Sequence, residues 1–257
     1  TVVARDLGYI LRIRLLTDYK LRWKPSFQVI MLWEFASALT PSVVGGSAIA
    51  AILVHKERIS IGKSTAVVMI TALLDELFYI IIVPIVLLFV IDYPIFSSLK
   101  FELFGYVFNS KYVFVFGYLF MLTLALIIVH AIFINPRGFK SLLIRLFKIK
   151  WLRKWRYGAM MAGNDIMITS REMKGRSSVF WIKAFGTTFL SWSARFMFVN
   201  FLILAFLPVD SHIHIYATQL VMWVFMLVSP TPGSAGIAEL LFNSFLNPFL
   251  IAGLAPI

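Results

Sequence analysis

The sequence has no cysteine and few acidic residues. Without cysteine, the chain forms no disulfide and holds no iron–sulfur cluster or thiolate zinc site. Asp and Glu total 12 against 24 Lys and Arg, which gives a formal net charge of +12. Only 14% of the 257 residues are charged and 60% are hydrophobic, so the mean hydropathy is +0.88, far above that of a soluble domain. We therefore expect an integral membrane protein.

Long apolar runs predict how the chain meets the bilayer. Segments long enough to span it or fold within it are Phe27–Val54, Thr65–Ile91, Tyr112–Ile134, Val179–Leu207 and a last one from Ile215 to the C-terminus. These runs predict an all-α polytopic fold. The charged residues inside them are Glu34, Asp75, Glu76, Lys183, Arg195 and Glu239. A charge at the bilayer centre costs about 2.5–3.5 kcal/mol, so such residues are functional candidates.

The motif Thr-Pro-x-x-x-Gly occurs twice, each time inside a long apolar segment. The first copy is Thr40, Pro41 and Gly45, and the second is Thr231, Pro232 and Gly236. Proline removes a backbone donor and glycine loosens the helix, so each segment is predicted to break into two half-helices at membrane depth. Broken helices at matching positions in two halves are typical of the binding site of a membrane transporter.

Lys and Arg are concentrated in three stretches of the chain. The number of Lys and Arg residues is six in residues 1–25, three in 55–63 and eleven in 135–178, where there are only two acidic residues. Residues 92–111 contain two basic and two acidic residues, and residues 208–215 contain no Lys or Arg. The positive-inside rule then predicts that the three basic stretches are cytoplasmic and the other two external. Because 1–25 and 55–63 both lie inside, the segment between them is predicted to enter and return on the same side.

The last apolar segment is predicted to begin outside and to re-enter from the opposite face by turning at its own Thr-Pro pair. Two re-entrant hairpins from opposite leaflets are what an inverted repeat produces. We therefore predict a single membrane domain over residues 1–257. Its first half is 1–134, its basic cytoplasmic linker is 135–178 and its second half is 179–257.

The basic linker has an amphipathic pattern over residues 137–156. Its Lys and Arg residues are interleaved with apolar residues at helical spacing, and Trp151 and Trp155 suit the headgroup level. We expect one interfacial helix that fixes topology and anchors the surface. A sharper interpretation is that this helix gathers anionic lipid headgroups. Nucleic-acid binding is not expected.

The residues around both breaks resemble those of one known family. The run Ser229-Pro-Thr-Pro-Gly-Ser-Ala-Gly-Ile-Ala-Glu239 resembles the P-x-P-G-G-x-G-x-x-E signature of the lysylphosphatidylglycerol synthase transmembrane region, the flippase-like membrane domain family. The run Thr40-Pro-Ser-Val-Val-Gly-Gly-Ser-Ala48 is similar to the family's earlier glycine-containing motif, and Leu73-Leu74-Asp75 to its L-L-D-R. The resemblance covers most of the chain and implies a domain that moves or binds lipid and does not synthesise it.

The chain departs from the family pattern at four positions. Ser42 stands in place of a glycine, Ser47 of a common acid, Ala50 of a common Arg, and Glu76 of the Arg that usually follows the Asp. Headgroup contacts of those family residues are therefore not carried over. We expect Arg195 to supply the replacement positive charge.

The candidate substrate site combines helix ends with charges in the membrane. Half-helices that start near Ser42–Gly46 and Gly233–Gly236 would present free N–H groups and a positive dipole end, which suits a phosphate; water or the opposite hairpin could satisfy the same donors instead. The predicted substrate-binding residues are Glu34, Thr40, Pro41, Gly45, Gly46, Asp75, Glu76, Arg195, Thr231, Pro232, Gly233, Gly236 and Glu239. No catalytic residue, metal or cofactor is expected.

The two adjacent carboxylates in this set differ in direction. Asp75 and Glu76 point about 100° apart on a helix, so they cannot face the same neighbour. One of them is expected to pair with a cation such as Arg195. That ion pair would either only fix the packing of the helices or belong to the substrate site. An unpaired one with a pKa raised by desolvation could carry protons during transport. Glu34 and Glu239 are expected to line a central cavity or, for Glu34, to make a buried hydrogen bond.

These observations predict a membrane lipid transporter or flippase of the cell inner membrane. Its substrate would be an anionic phosphate-bearing lipid of the phospholipid, aminoacyl-phospholipid or polyprenyl-phosphate type, and its partners membrane lipids, with a second copy of the chain or an enzyme as further candidates. The alternative is a non-transporting subunit that docks a lipid-modifying or glycosyl-transfer enzyme through the basic linker. A transporter requires Glu34, Arg195, Glu239 and both Thr-Pro turns around one wet cavity, whereas a scaffold can pack them separately.

Overall fold

Helices make up nearly all of the structure. The computed structural model describes residues 1–39, 42–96, 100–103, 106–207, 211–227, 236–247 and 249. The helices are α1 (Val2–Leu16), α2 (Trp23–Leu39), α3 (Ser42–Lys56), α4 (Ile61–Phe89), α5 (Ser110–Val129), α6 (Pro136–Leu146), α7 (Arg156–Met173), α8 (Ser178–Leu204), α9 (His212–Leu227) and α10 (Ile237–Phe245). Within these ranges the strands are β1 (Lys100–Leu103) and β2 (Tyr106–Asn109), an antiparallel pair between α4 and α5.

Among the described residues, three helices are long and apolar enough to cross a membrane. They are α4, α5 with its π-helical continuation to Ile134, and α8. Ser60, Asn109 and Ser177 cap their N-termini by accepting backbone N–H groups, as short polar residues do before a helix. The predicted all-α polytopic membrane fold is confirmed, and each of these helices coincides with a predicted span.

The first Thr-Pro segment folds into two helices. Helix α2 ends at Leu39 and α3 begins at Ser42, which is where the proline was predicted to break the segment. The two helices lie side by side and antiparallel: Gly46 of α3 lies against Ser37 of α2, and a groove near the other end is lined by residues of both helices, including Phe27 and Leu53. Thr40 and Pro41 lie outside the described residues.

The second Thr-Pro segment also contains two helices. Phe225 of α9 packs against Phe245 of α10 with ring centroids 5.6 Å apart, and His214 near the start of α9 lies 4.7 Å from the ring of Phe249. Helices α9 and α10 are therefore antiparallel. The predicted turn lies outside the described residues, and the re-entrant, inverted-repeat arrangement stays a prediction.

The basic linker is two helices. The single helix predicted over residues 137–156 is wrong: α6 ends at Leu146, a 3-10 turn covers Arg153–Trp155, and α7 begins at Arg156. Helix α7 then packs on the start of α4, where the Thr169 hydroxyl donates to Met69 Sδ at 3.3 Å. The sequence signal was the amphipathic spacing of α6, which does not show where the chain turns back.

Helix α1 lies antiparallel to α8. At one end, Arg176 just before α8 binds Asp18 just after α1; further along, Gly8 lies directly on Ser191. A Cβ at Gly8 would overlap the Ser191 side chain and meet its backbone nitrogen at 3.0 Å. Glycine is therefore what allows the two helices to approach so closely.

The buried apolar residues form two clusters stacked along α4 and α8. One contains Leu74 and Ala184 with residues of α1, α2, α3 and α7; the other contains Phe78 and Trp192 with residues of α5, α9 and α10. The boundary between the clusters falls at Asp75 on α4. The polar side chains described below occupy this boundary.

Pro84 interrupts the hydrogen bonding inside α4. Because proline has no N–H, the carbonyl of Ile80 loses its helical partner. The Tyr118 hydroxyl of α5 donates to that carbonyl at 2.8 Å. The contact fixes α5 on α4 at the level of the proline.

An ion cluster joins the ends of α1, α4, α7 and α8. Arg176 donates to both carboxylate oxygens of Asp18, at 2.5 and 2.9 Å. The Lys63 ammonium, which is almost fully buried, lies 3.0 Å from Asp18 and 3.1 Å from Glu172. The hydrogen bonds from Arg176, with the help of Lys63, outweigh desolvation and lower the pKa of Asp18 from 3.8 to about 2.

Candidate functional site

A polar layer crosses the bundle at Asp75. Asp75 lies fourteen residues from Ile61 and fourteen from Phe89, the two ends of α4, so it is near the middle of the span. The Arg12 guanidinium of α1 donates to Asp75 at 2.5 Å, and the indole Nε1 of Trp192 donates to the same oxygen at 2.7 Å. Arg12 also donates to the Thr188 hydroxyl at 3.1 Å. One carboxylate thus joins α1, α4 and α8.

This layer bears on two sequence predictions. One of the two carboxylates was expected to pair with a cation such as Arg195; Asp75 does pair with a cation, but the cation is Arg12. In addition, residues 1–25 were predicted to be cytoplasmic as a whole, yet Arg12 is 5% exposed and meets the midpoint of α4. Helix α1 therefore lies inside the bundle, and the cytoplasmic prediction applies only beyond its end. The positive-inside rule misassigned Arg12 because it counts every Lys and Arg alike, whether the side chain is free in solvent or buried and paired.

Arg195 is held by aromatic rings. Its guanidinium carbon lies 5.2 Å from the ring centroid of Trp192 and 4.8 Å from that of Trp223. Among the described residues, no carboxylate lies within 4.0 Å of Arg195. Cation–π contacts stabilise an arginine by about 0.5–2 kcal/mol, depending on how far it is desolvated, and Arg195 is half-buried.

Tyr79 lies beside this arginine and has a hydroxyl without a partner. The Tyr79 ring is stacked on Trp223 at 6.2 Å and meets Trp192 edge-on at 5.1 Å. The residue is 2% exposed, and its hydroxyl has no hydrogen-bond partner in the part of the chain that the structure describes. Arg195 lies within electrostatic range of Tyr79. A buried donor without an acceptor is costly, and its presence beside an arginine favours a ligand that accepts hydrogen bonds.

Glu34 belongs to the same region. Arg5 of α1 donates to Glu34 of α2 at 3.0 Å and also contacts Asp6 at 2.7 Å. Glu34 and Arg195 lie within electrostatic range of each other without direct contact. The structure therefore places Glu34, Asp75 and Arg195 in one region, and it gives Glu34 a partly buried hydrogen bond in place of the fully buried one that was the alternative to cavity lining.

Glu76 is the member of the carboxylate pair that forms no salt bridge with a described residue. One of its carboxyl oxygens is buried and has no hydrogen-bond partner among the described residues. The prediction that the two carboxylates face different neighbours is consistent with this difference.

The two predicted half-helix ends differ. Helix α3 starts at Ser42 as expected, with Gly45 and Gly46 in its first turns. At the second break, Gly236 with φ 81° precedes α10, and its N–H donates to the Glu239 carboxylate at 2.6 Å. Glu239 is exposed and caps its own helix, and its place in a central cavity stays a prediction. Thr231, Pro232 and Gly233 lie outside the described residues.

The sequence did not identify Arg12 or Tyr79 as site residues, nor the cation–π contacts of Arg195 with Trp192 and Trp223. Arg12 was counted only as a topogenic charge, although its position four residues after Gly8 puts both on one face of α1. No local signal marks Tyr79 in an aromatic-rich helix. The described residues contain no cluster of three His, Asp or Glu side chains that could hold a metal ion.

Comparison with known proteins agrees with this architecture. The sequence profile of the family described as "Lysylphosphatidylglycerol synthase TM region" matches residues 3–256. A "UPF0104 membrane protein" of Archaeoglobus fulgidus is 25% identical over 254 residues, which cover 93% of this chain and 73% of that protein. No solved structure matches the chain. The protein therefore belongs to the lysylphosphatidylglycerol synthase transmembrane region family, multi-pass membrane proteins linked to lipid metabolism.

Proposed function

We propose that the protein binds an anionic, phosphate-bearing lipid at mid-membrane depth and moves it between the leaflets of the inner membrane. The observation that carries this proposal is the environment of Arg195, whose guanidinium lies over the rings of two indoles and forms no salt bridge with a carboxylate among the described residues. The donors at the edge of a guanidinium match two phosphate oxygens by parallel hydrogen bonds. An arginine inside a span that has aromatic contacts but no carboxylate partner is suited to bind an anion.

The neighbouring acids are engaged elsewhere. Asp75 is bound by Arg12, and Glu34 is bound by Arg5. Neither acid forms a salt bridge with Arg195, and the Tyr79 hydroxyl adds a buried donor nearby. A phosphate would satisfy both groups, whereas a neutral headgroup would leave Arg195 without a counter-charge.

The lengths of α2 and α3 support a re-entrant path. At 1.5 Å per residue, their 17 and 15 residues extend about 26 and 23 Å, less than the roughly 30 Å of a hydrocarbon core. Their junction would therefore lie inside the membrane. The N–H groups at the start of α3 are the second anion-binding element that the sequence predicts.

In the proposed mechanism the headgroup enters between helices while its acyl or prenyl tails stay in lipid. It binds Arg195 and leaves toward the opposite leaflet. Glu34 takes over the electrostatic neutralisation of Arg195 after release, and Glu76 is the group available to exchange a proton. Asp75 holds α1 in place through Arg12. No bond is made or broken, so the protein acts as a transporter and not as an enzyme.

Lipid movement in proteoliposomes tests the proposal. Fluorescent phosphatidylglycerol and phosphatidylcholine are followed with the wild type, Arg195→Ala, Arg195→Lys and Lys183→Ala. Lys183→Ala is the matched control, because it removes an exposed cation from the same helix. Losing a charged hydrogen-bonding partner costs about 1.5–3 kcal/mol, so Arg195→Ala should slow phosphatidylglycerol movement at least about tenfold, Arg195→Lys less, and Lys183→Ala hardly at all.

Two results would contradict the proposal. Movement by Arg195→Ala at the wild-type rate would show that Arg195 does not bind the headgroup. If the wild type moves neither phospholipid, the assay is repeated with a polyprenyl phosphate. Failure there as well would exclude lipid transport and favour a subunit that docks an enzyme.

A further inference from the structure

The α6–α7 hairpin has one face packed on the bundle and one face uncovered. Its inner face is fixed to the beginning of α4, where Ile168 covers Gly62. Glu172 near the end of α7 binds Lys63 at the start of α4. The hairpin therefore lies at the level where the spans begin, which is the boundary between hydrocarbon and headgroups.

The uncovered face is basic. The Lys and Arg residues of the hairpin between 136 and 164 are Arg137, Lys140, Arg145, Lys148, Lys150, Arg153, Lys154 and Arg156, and the same stretch has no Asp or Glu. Most of these side chains are exposed. A surface with this many cations and no anion in a continuous stretch repels basic partners and attracts anionic ones.

The same face is also apolar. The Trp151 side chain is 86% exposed and that of Tyr157 is 71% exposed. Beside them, Phe147, Leu152 and Trp155 help to line an open groove of about 490 Å³. Exposed indoles, an apolar groove and a basic rim at this level match the headgroup region of a bilayer, where aromatic rings are stable and cations meet lipid phosphates.

We propose that this face of α6–α7 docks on the anionic phospholipids of the adjacent leaflet and enriches them around the bundle. Anionic phospholipid is the ligand that matches both components of this surface. Its phosphates neutralise the cations, and its acyl chains cover the groove and Trp151. The proposal does not depend on the lipid-transport function. It predicts a preference for anionic over zwitterionic lipid that is local to this hairpin.

Quenching of Trp151 by brominated lipid tests the proposal directly. The wild type and Trp151→Phe are placed in lipid nanodiscs with equal fractions of brominated phosphatidylglycerol or brominated phosphatidylcholine, and the difference in emission isolates Trp151. We expect the phosphatidylglycerol to quench Trp151 about twofold more strongly, because a surface of this charge enriches anionic lipid around it. Raising the salt concentration should reduce the difference.

A pair of charge variants provides the control. The first replaces Arg145, Lys148, Lys150 and Arg153 by Gln and should abolish the lipid preference. The second replaces the exposed cations Lys20, Arg22, Lys24 and Lys56 by Gln and should keep it, although it removes the same charge. Equal quenching of the wild type by both lipids would overturn the proposal, since the face would then be an unselective anchor. Absence of quenching by either lipid would overturn it as well and point to a protein partner.

Discussion

The adjacent carboxylates of α4 provide a sharp test of the structure. Asp75→Asn removes the charge that balances Arg12 but keeps an oxygen that accepts the Trp192 N–H. Glu76→Gln makes the same chemical change one residue away, at a carboxyl that has a buried oxygen without a partner. The two variants are isosteric with the wild type, so any difference between them reports on charge pairing.

The magnitudes follow from the contacts. Arg12 is 5% exposed, and removing one partner of a buried ion pair costs about 3–5 kcal/mol because the other charge stays unpaired. We therefore expect Asp75→Asn to lower the free energy of unfolding by about 3 kcal/mol. Glu76→Gln should leave it unchanged or raise it slightly, because a neutral amide is cheaper to bury than a carboxylate.

Reversible unfolding in mixed micelles of detergent and dodecyl sulfate gives these free energies. A cycle of Arg12→Met, Asp75→Asn and the double variant measures the coupling between the two side chains. Hydrogen bonds between helices in membranes average roughly 0.6 kcal/mol, so a coupling near 2 kcal/mol would identify an ion pair. Equal destabilisation by Asp75→Asn and Glu76→Gln, or a coupling near zero, would refute the assignment of Arg12 to Asp75.

Three further predictions use the same unfolding measurement. Gly8→Val should cost about 1–3 kcal/mol by overpacking against Ser191, and an unaltered stability would contradict the close approach of α1 and α8. Tyr118→Phe should cost roughly 1 kcal/mol by leaving the Ile80 carbonyl without its donor, whereas no change would argue against that bond. The lowered pKa of Asp18 stabilises the fold above about pH 4, and this stabilisation is lost as the pH falls toward about 2. The melting temperature of Asp18→Asn should therefore fall less than that of the wild type over this pH range. Parallel plots of melting temperature against pH for the two proteins would disprove the link.

Backbone chemistry made much of the fold predictable from the sequence. A proline with glycines shortly after it favours a break in an apolar segment, and α2 ends at Leu39, just before position 41. Apolar runs of more than twenty residues leave few choices besides a span. The bend between α6 and α7 was not predictable in the same way. Positions 147–152 contain neither Gly nor Pro, so the turn there depends on the packing of both helices and not on a local signal.

The sequence predicts which charged residues belong to the candidate site better than it predicts which residues they pair with. Glu34, Asp75 and Arg195 stand out as charges in apolar runs, and the structure places them in one region. The partners of Glu34 and Asp75 come from α1, a helix that contacts α8 more than 170 residues away in the sequence, and those of Arg195 come from α8 and α9. Spacing along one segment carries no information about such contacts.

The sequence separation inside the polar layer has a consequence for biogenesis. Arg12 is 63 residues from Asp75 and 176 residues from Thr188. At about 5–20 residues per second, Thr188 is synthesised roughly 9–35 s after Arg12, whereas Asp75 follows Arg12 by only about 3–13 s. The pair between Arg12 and Asp75 is therefore available before α8 exists. It can retain α1 beside α4 while the translocon is still inserting the second half of the chain.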